Sequence, residues 1–241
     1  MNTDYSKCWA NYRRDCDRGM SDEHLLSKAL FPQQAVYVSG FDWCGAAEKK
    51  IGINSLQRRF LCEKHNNALS PADTEAVEAL SAFASGESQR EINGGLLERW
   101  LLKSAINLSI GTKSHIGCGM SESVPGWPSP YLLAVAFGDL SFSHNMGAYF
   151  FDCAAEYRYR AGEILMTPLL LETGIGGFLF GLRGAFVFLN LVPGDAPSNL
   201  LDIPSDVLPP PLNTSKLIFR PGSLTIRGSN KESRINFAWP A

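Results

Sequence analysis

The sequence predicts an α+β protein: a metal-stapled N-terminal third, then helices, then an antiparallel, β-rich C-terminal part. Three observations carry this. Leu61 to Asp73, LCEKHNNALSPAD, places a thiol, an imidazole three residues on and then an amide in the pattern Cys62-x-x-His65-Asn66. Thiol and imidazole at that spacing suit a zinc knuckle, and the carboxamide can hold a second ion through oxygen. Helical apolar periodicity follows between residues 70 and 108. Beyond Gly111 the texture changes to short apolar runs split by turn residues, the mark of hairpins.

Composition bounds the reading. The chain has 241 residues, 45% of them hydrophobic and 19% charged, enough apolar material for a sizeable core. A net charge of -2 gives no global field that would draw in nucleic acid. The distribution is uneven, with residues 1–70 at +2 and residues 71–241 at -4. Arg13, Arg14, Arg18, Lys49, Lys50, Arg58 and Arg59 place local basic spots around the knuckle. MNTDYSKCWANYRRD lacks the apolar stretch of a signal peptide, and Arg183 interrupts the longest apolar run, Gly176 to Val192. A cytoplasmic protein without a membrane span is therefore expected, its six cysteines reduced and either metal-bound or buried.

In chain order, Cys8 and Cys16 flank a polar stretch, and Gly19 precedes the pair Glu23-His24. Residues 35–43 alternate as a strand, and residues 56–61 read as a second strand that delivers Cys62. Ser70-Pro71 with Asp73 predicts a helix start, and Gly86 predicts its end. A second helix is predicted over residues 96–108, with Leu97, Trp100, Leu101 and Ser104 on its buried face and Glu98, Arg99 and Lys103 on its wet face. Residues 178–182 and 185–191 predict one hairpin, residues 223–227 and 234–239 another, and residues 194–211 a Pro-rich loop. The division expected is 1–86 as the metal-bearing domain, 87–110 as a helical connector and 111–241 as a C-terminal domain of open role.

Cys8, Cys16, Glu23-His24 and Cys62-x-x-His65-Asn66, in that order, resemble the HNH, or ββα-metal, nucleases and within them the endonuclease VII-like branch. EHLLSKAL is similar to the strand that carries the acid-His pair in many such proteins, with Ser27 where a proline is usual. The resemblance covers residues 8–75. It implies a zinc-stabilised ββα-metal core, with Cys8, Cys16, Cys62 and His65 holding a structural Zn²⁺. Glu23 and Asn66 would be ligands of a catalytic Mg²⁺ or similar ion, with His24 as the general base. The implied activity is endonucleolytic hydrolysis of nucleic acid, DNA ahead of RNA, with a protein partner for the C-terminal part left open. The chain departs from the pattern in three ways: seven residues separate Cys8 from Cys16, His65 stands for a cysteine, and Glu23 stands for an aspartate. Cys44 is an alternative to Cys8 or Cys16 as a ligand. A zinc-stabilised binding or interaction module without cutting activity is the other reading.

Overall fold

A two-stranded ribbon running into a long helix organises the N-terminal third of the computed structural model. The structure describes residues 4–27, 30, 35–38, 49–52, 54, 57–88, 90–112, 127–152, 164–171, 174–183, 185–194, 216–227 and 232–240. A 3-10 turn, Asn11–Arg13, precedes strand β1 (Met20–His24). Strands β2 (Ala35–Val38) and β3 (Lys49–Gly52) pair antiparallel with each other. Strand β4 (Gln57–Cys62) returns antiparallel to β1, in a register from Met20–Cys62 to His24–Gln57 with an irregularity between Ser21 and Glu23. The strands expected over 35–43 and 56–61 are thus present where described; residues 39–43 lie outside the described residues, as do Cys44 and residues 195–211 of the Pro-rich loop.

Helix α1 spans Glu63–Ser85, with Cys62 as its N-cap and Pro71 inside it. This corrects the start read from Ser70-Pro71. Proline removes a backbone donor and in a helix interior costs about 3 kcal/mol, but the vacated Asn67 carbonyl accepts the Ser70 hydroxyl instead, at 2.9 Å. The first turn is also tied down from outside, since the Glu63 N–H donates to the Gly19 carbonyl at 2.9 Å. Gly86 ends the helix as expected, at φ 73°, donating to the Ala82 carbonyl.

Strand β5 (Ile92–Asn93) leads into helix α2 (Gly94–Thr112), whose Leu96 N–H is capped by the Asn93 side chain at 3.0 Å. Leu97, Trp100, Leu101 and Ser104 are buried as expected. The wet face is not there: Glu98 and Lys103 are buried too, and Arg99 is half-buried. Each buried charge has a distant partner. The Glu98 carboxylate accepts from Arg220 Nε and Nη2, both at 2.9 Å, and from the Ala148 N–H at 2.8 Å. Burial pushes the Glu98 carboxyl up, against the pull of Arg220. Helix α3 (Pro130–Phe137) then interrupts the β texture expected after Gly111. Ser129 caps it by accepting from the Leu132 N–H at 3.2 Å, with proline following at the first helical position.

Strands β6 (Gly147–Asp152), β7 (Ile164–Leu171), β8 (Gly174–Leu182), β9 (Ala185–Asn190) and β10 (Lys216–Phe219) form an antiparallel sheet in the order β10-β6-β9-β8-β7. The first predicted hairpin is β8–β9, with Phe180 opposite Val187. The second is β11 (Ser223–Arg227) with β12 (Glu232–Ala238), and β12 also pairs parallel with β5. Both strands of the β8–β9 hairpin bury almost every side chain, which is why they read as near-continuous apolar runs. One buried cluster joins Cys8 and Trp9 through Phe83 and Trp100 to Phe180 and Phe237, so segments from all three predicted divisions share a core. Among the described residues, no helix is long and apolar enough to cross a membrane.

Gly94 shows how closely α2 and β12 meet. A Cβ on Gly94 would lie 2.4 Å from the indole ring of Trp239, which stacks on Phe237 at 5.9 Å and donates to the Pro221 carbonyl at 2.8 Å. Gly94→Ala should therefore cost about 1–3 kcal/mol by overpacking. Thermal melts unchanged by the substitution would show that Trp239 is not seated there.

Candidate metal centre

Four elements deliver four ligand atoms to one point. Cys62 ends β4, and His65 follows in the first turn of α1. Cys8 lies in a tight turn, its N–H bonded to the Tyr5 carbonyl at 2.9 Å and its carbonyl to the Asn11 N–H at 2.8 Å. Cys16 is reached after the 3-10 turn and Arg14, which is left-handed at φ 58°. That turn folds the seven-residue gap back on itself, so Cys8 and Cys16 meet without knuckle spacing. Cys8, Cys62 and His65 are buried and Cys16 is half-buried.

The three sulfurs and the imidazole nitrogen lie within 4.8 Å of one another. His65 Nδ1 is 3.5 Å from Cys8 Sγ, 3.6 Å from Cys16 Sγ and 3.1 Å from Cys62 Sγ. A tetrahedral zinc with ordinary Zn–S and Zn–N bonds sets that edge at about 3.6 Å. The donor set and its spacing therefore fit zinc, and they are the four residues the sequence selected. Cys44, the alternative ligand, lies outside the described residues.

Sequence reasoning missed a fifth participant. His65 Nε2 lies 2.8 Å from Asp15 Oδ1, and Asp15 Oδ2 accepts from Lys64 Nζ at 2.7 Å. Hydrogen bonds first from Lys64 and then from His65 hold the Asp15 carboxyl below its usual range, so it accepts only. The imidazole proton thus sits on Nε2, and the Nδ1 lone pair faces the sulfurs. Burial holds His65 below its usual range, against the pull of Asp15, and keeps the ring neutral. Burial also pushes Cys8 and Cys16 up, with the Cys62 charge adding at Cys8 and the Cys8 charge adding at Cys16. A dication reverses that balance, because it binds thiolates. Asp15→Ala should weaken zinc binding about 10- to 100-fold. Chelator competition giving equal zinc affinity for both proteins would show that the Asp15–His65 link is idle.

The residues expected to hold a second ion are occupied differently. Glu23 is 7% exposed, and its Oε1 accepts from Lys103 Nζ at 2.8 Å. The same ammonium donates to Asp73 Oδ2 at 2.8 Å. Asp73 also accepts the Ser27 hydroxyl, which in turn accepts from Trp100 Nε1 at 3.2 Å. His24 is half-buried, and its Nε2 is buried without a partner among the described residues. Asn66 Nδ2 donates to Ser21 Oγ at 2.9 Å, tying α1 to β1. Glu23, His24 and Asn66 thus lie on β1 and the first turn of α1, and the two with partners use different ones.

Comparison with protein-family models, curated proteins and solved structures finds no match for the chain.

Proposed function

We propose that the chain is a zinc-stapled nucleic-acid-binding module of the ββα-metal kind, one that holds its target without cutting it. The capture of Glu23 by Lys103 carries this reading. A divalent ion at the Glu23 carboxylate would have to displace a buried ammonium that also bonds Asp73. The ββα-metal resemblance is supported by the antiparallel β1–β4 ribbon entering α1, with all four expected zinc ligands gathered beside it. Four protein ligands leave zinc no open position for a reacting water, so its role is structural.

A specific observation favours the second reading, metal-dependent cleavage with Glu23 and Asn66 on Mg²⁺. The buried His24 Nε2 has no hydrogen-bond partner among the described residues, as a base waiting for its water would. A gel-shift and cleavage screen on DNA and RNA with Mg²⁺, Mn²⁺ and Ni²⁺ separates the two. Binding without ion-stimulated cleavage is expected. Cleavage that falls about 10²- to 10⁴-fold in His24→Ala, with zinc content unchanged, would replace the binding reading with the nuclease.

A further inference from the structure

Beside the zinc ligands lies an open cleft of about 670 Å³, lined by Tyr5, Trp9, Tyr12, Arg14, Cys16 and Trp127 among others. Its aromatic walls differ in exposure: Trp9 is buried and Tyr12 open to water. Trp9 is fixed: its ring packs on Phe137 at 5.8 Å and its Nε1 donates to Asn107 Oδ1 at 3.1 Å. Tyr12 is 68% exposed, a large ring left in water on the 3-10 turn between Cys8 and Cys16. Arg14, the left-handed residue that follows this turn, has no ion pair among the described residues. Two acids near the turn are already engaged, Asp15 with Lys64 and His65, and Asp139 with Arg13. The cleft therefore offers the exposed ring of Tyr12 and a guanidinium without an ion pair among the described residues. It is complementary to a ligand that is itself flat, aromatic and anionic.

We infer that this cleft receives an unstacked base of single-stranded nucleic acid, with Tyr12 stacking on the base and Arg14 meeting the adjoining phosphate; this rests on the nucleic-acid-binding reading above. In a duplex, both faces of a base are covered by its neighbours, so only a single strand or a flipped base can present one to the cleft. The volume lies within the range of small-ligand sites and suits one nucleotide. The zinc braces the turn that carries Tyr12, because Cys8 and Cys16 hold its two ends. Base recognition and the metal are thereby coupled without the metal touching the ligand.

The test compares a labelled single-stranded oligonucleotide with its duplex by fluorescence anisotropy, using the full chain, Tyr12→Ala and Arg14→Ala. Both substituted side chains are exposed, and zinc content with circular dichroism verifies folding. Single strand should bind more tightly than duplex. Tyr12→Ala should weaken single-strand binding about 5- to 150-fold, the range for one stacked base. Arg14→Ala should lower the slope of log affinity against log salt by about 0.7. Equal affinity for both nucleic-acid forms, unchanged by Tyr12→Ala, would overturn the cleft assignment and leave the nucleic-acid reading standing. No binding of either form would overturn that reading and the cleft with it.

Discussion

Cys62→Ser is expected to lose zinc and unfold the N-terminal third. Cys62 is fully buried at the joint between β4 and α1, and its backbone N–H donates to Cys8 Sγ at 3.4 Å. Structural zinc contributes an apparent binding free energy of about 10–16 kcal/mol at neutral pH. That is comparable with the whole stability of a typical domain, about 5–15 kcal/mol. Serine keeps the shape but is a poor ligand for zinc, so the loss falls on the metal. Elemental analysis and amide hydrogen exchange over residues 4–27 and 57–88 give the readout. Full zinc occupancy in the variant would remove Cys62 from the ligand set. Acid should mimic the substitution. Cys8 and Cys16 are pushed up by burial in the metal-free cluster, so protons favour the metal-free form. Zinc affinity should therefore fall as pH drops, and rise again as the thiols give their protons up to the metal.

The candidate metal ligands were legible because their chemistry is carried by residue type and chain order. A three-residue step from Cys62 to His65 survives any error in where the helix begins. Asp15 was not legible, since only the folded distance from its carboxylate to His65 Nε2 reveals its part. The hairpins could be read because their apolar runs and turn residues are local. The start of α1 could not. Ser70 and Pro71 form a good local helix start, and two bonds override them: a tertiary one from the Glu63 N–H to the Gly19 carbonyl, and a local one in which the Ser70 hydroxyl stands in for the missing N–H. Glu98 and Lys103 misled for a related reason. Their partners lie 122 and 30 residues away at Arg220 and Asp73, and no periodicity records a pairing at that range. Helix α3 did have a local signal, Ser129-Pro130, which the apolar texture around it obscured.

Lys103→Met should be strongly destabilising although it lies outside the candidate metal site. The Lys103 side chain is 2% exposed, and its ammonium lies 2.8 Å from both Glu23 Oε1 and Asp73 Oδ2. Methionine fills the same volume but leaves one carboxylate buried and another half-buried without a cation. Removing one partner of a buried pair costs about 3–5 kcal/mol, chiefly because the other charge stays behind. Denaturant unfolding at neutral pH should show that loss. The double variant Lys103→Met with Glu23→Gln should recover part of it, since the remaining group is neutral and similar in shape. The sign with pH follows. A buried carboxylate without its cation takes up a proton more readily folded than unfolded, so acid favours the folded variant. The deficit against wild type should therefore shrink as pH falls toward about 4, the ordinary carboxylate range. A deficit independent of pH would mean that Lys103 contributes packing and not charge. Thermal melts with and without Mg²⁺ bear on function, because a Glu23 freely available to the ion would let it stabilise the wild-type protein. Melting unmoved by Mg²⁺ is expected while Lys103 holds that carboxylate. A Glu23-dependent rise would instead mean that the ion displaces the ammonium, as the nuclease reading requires.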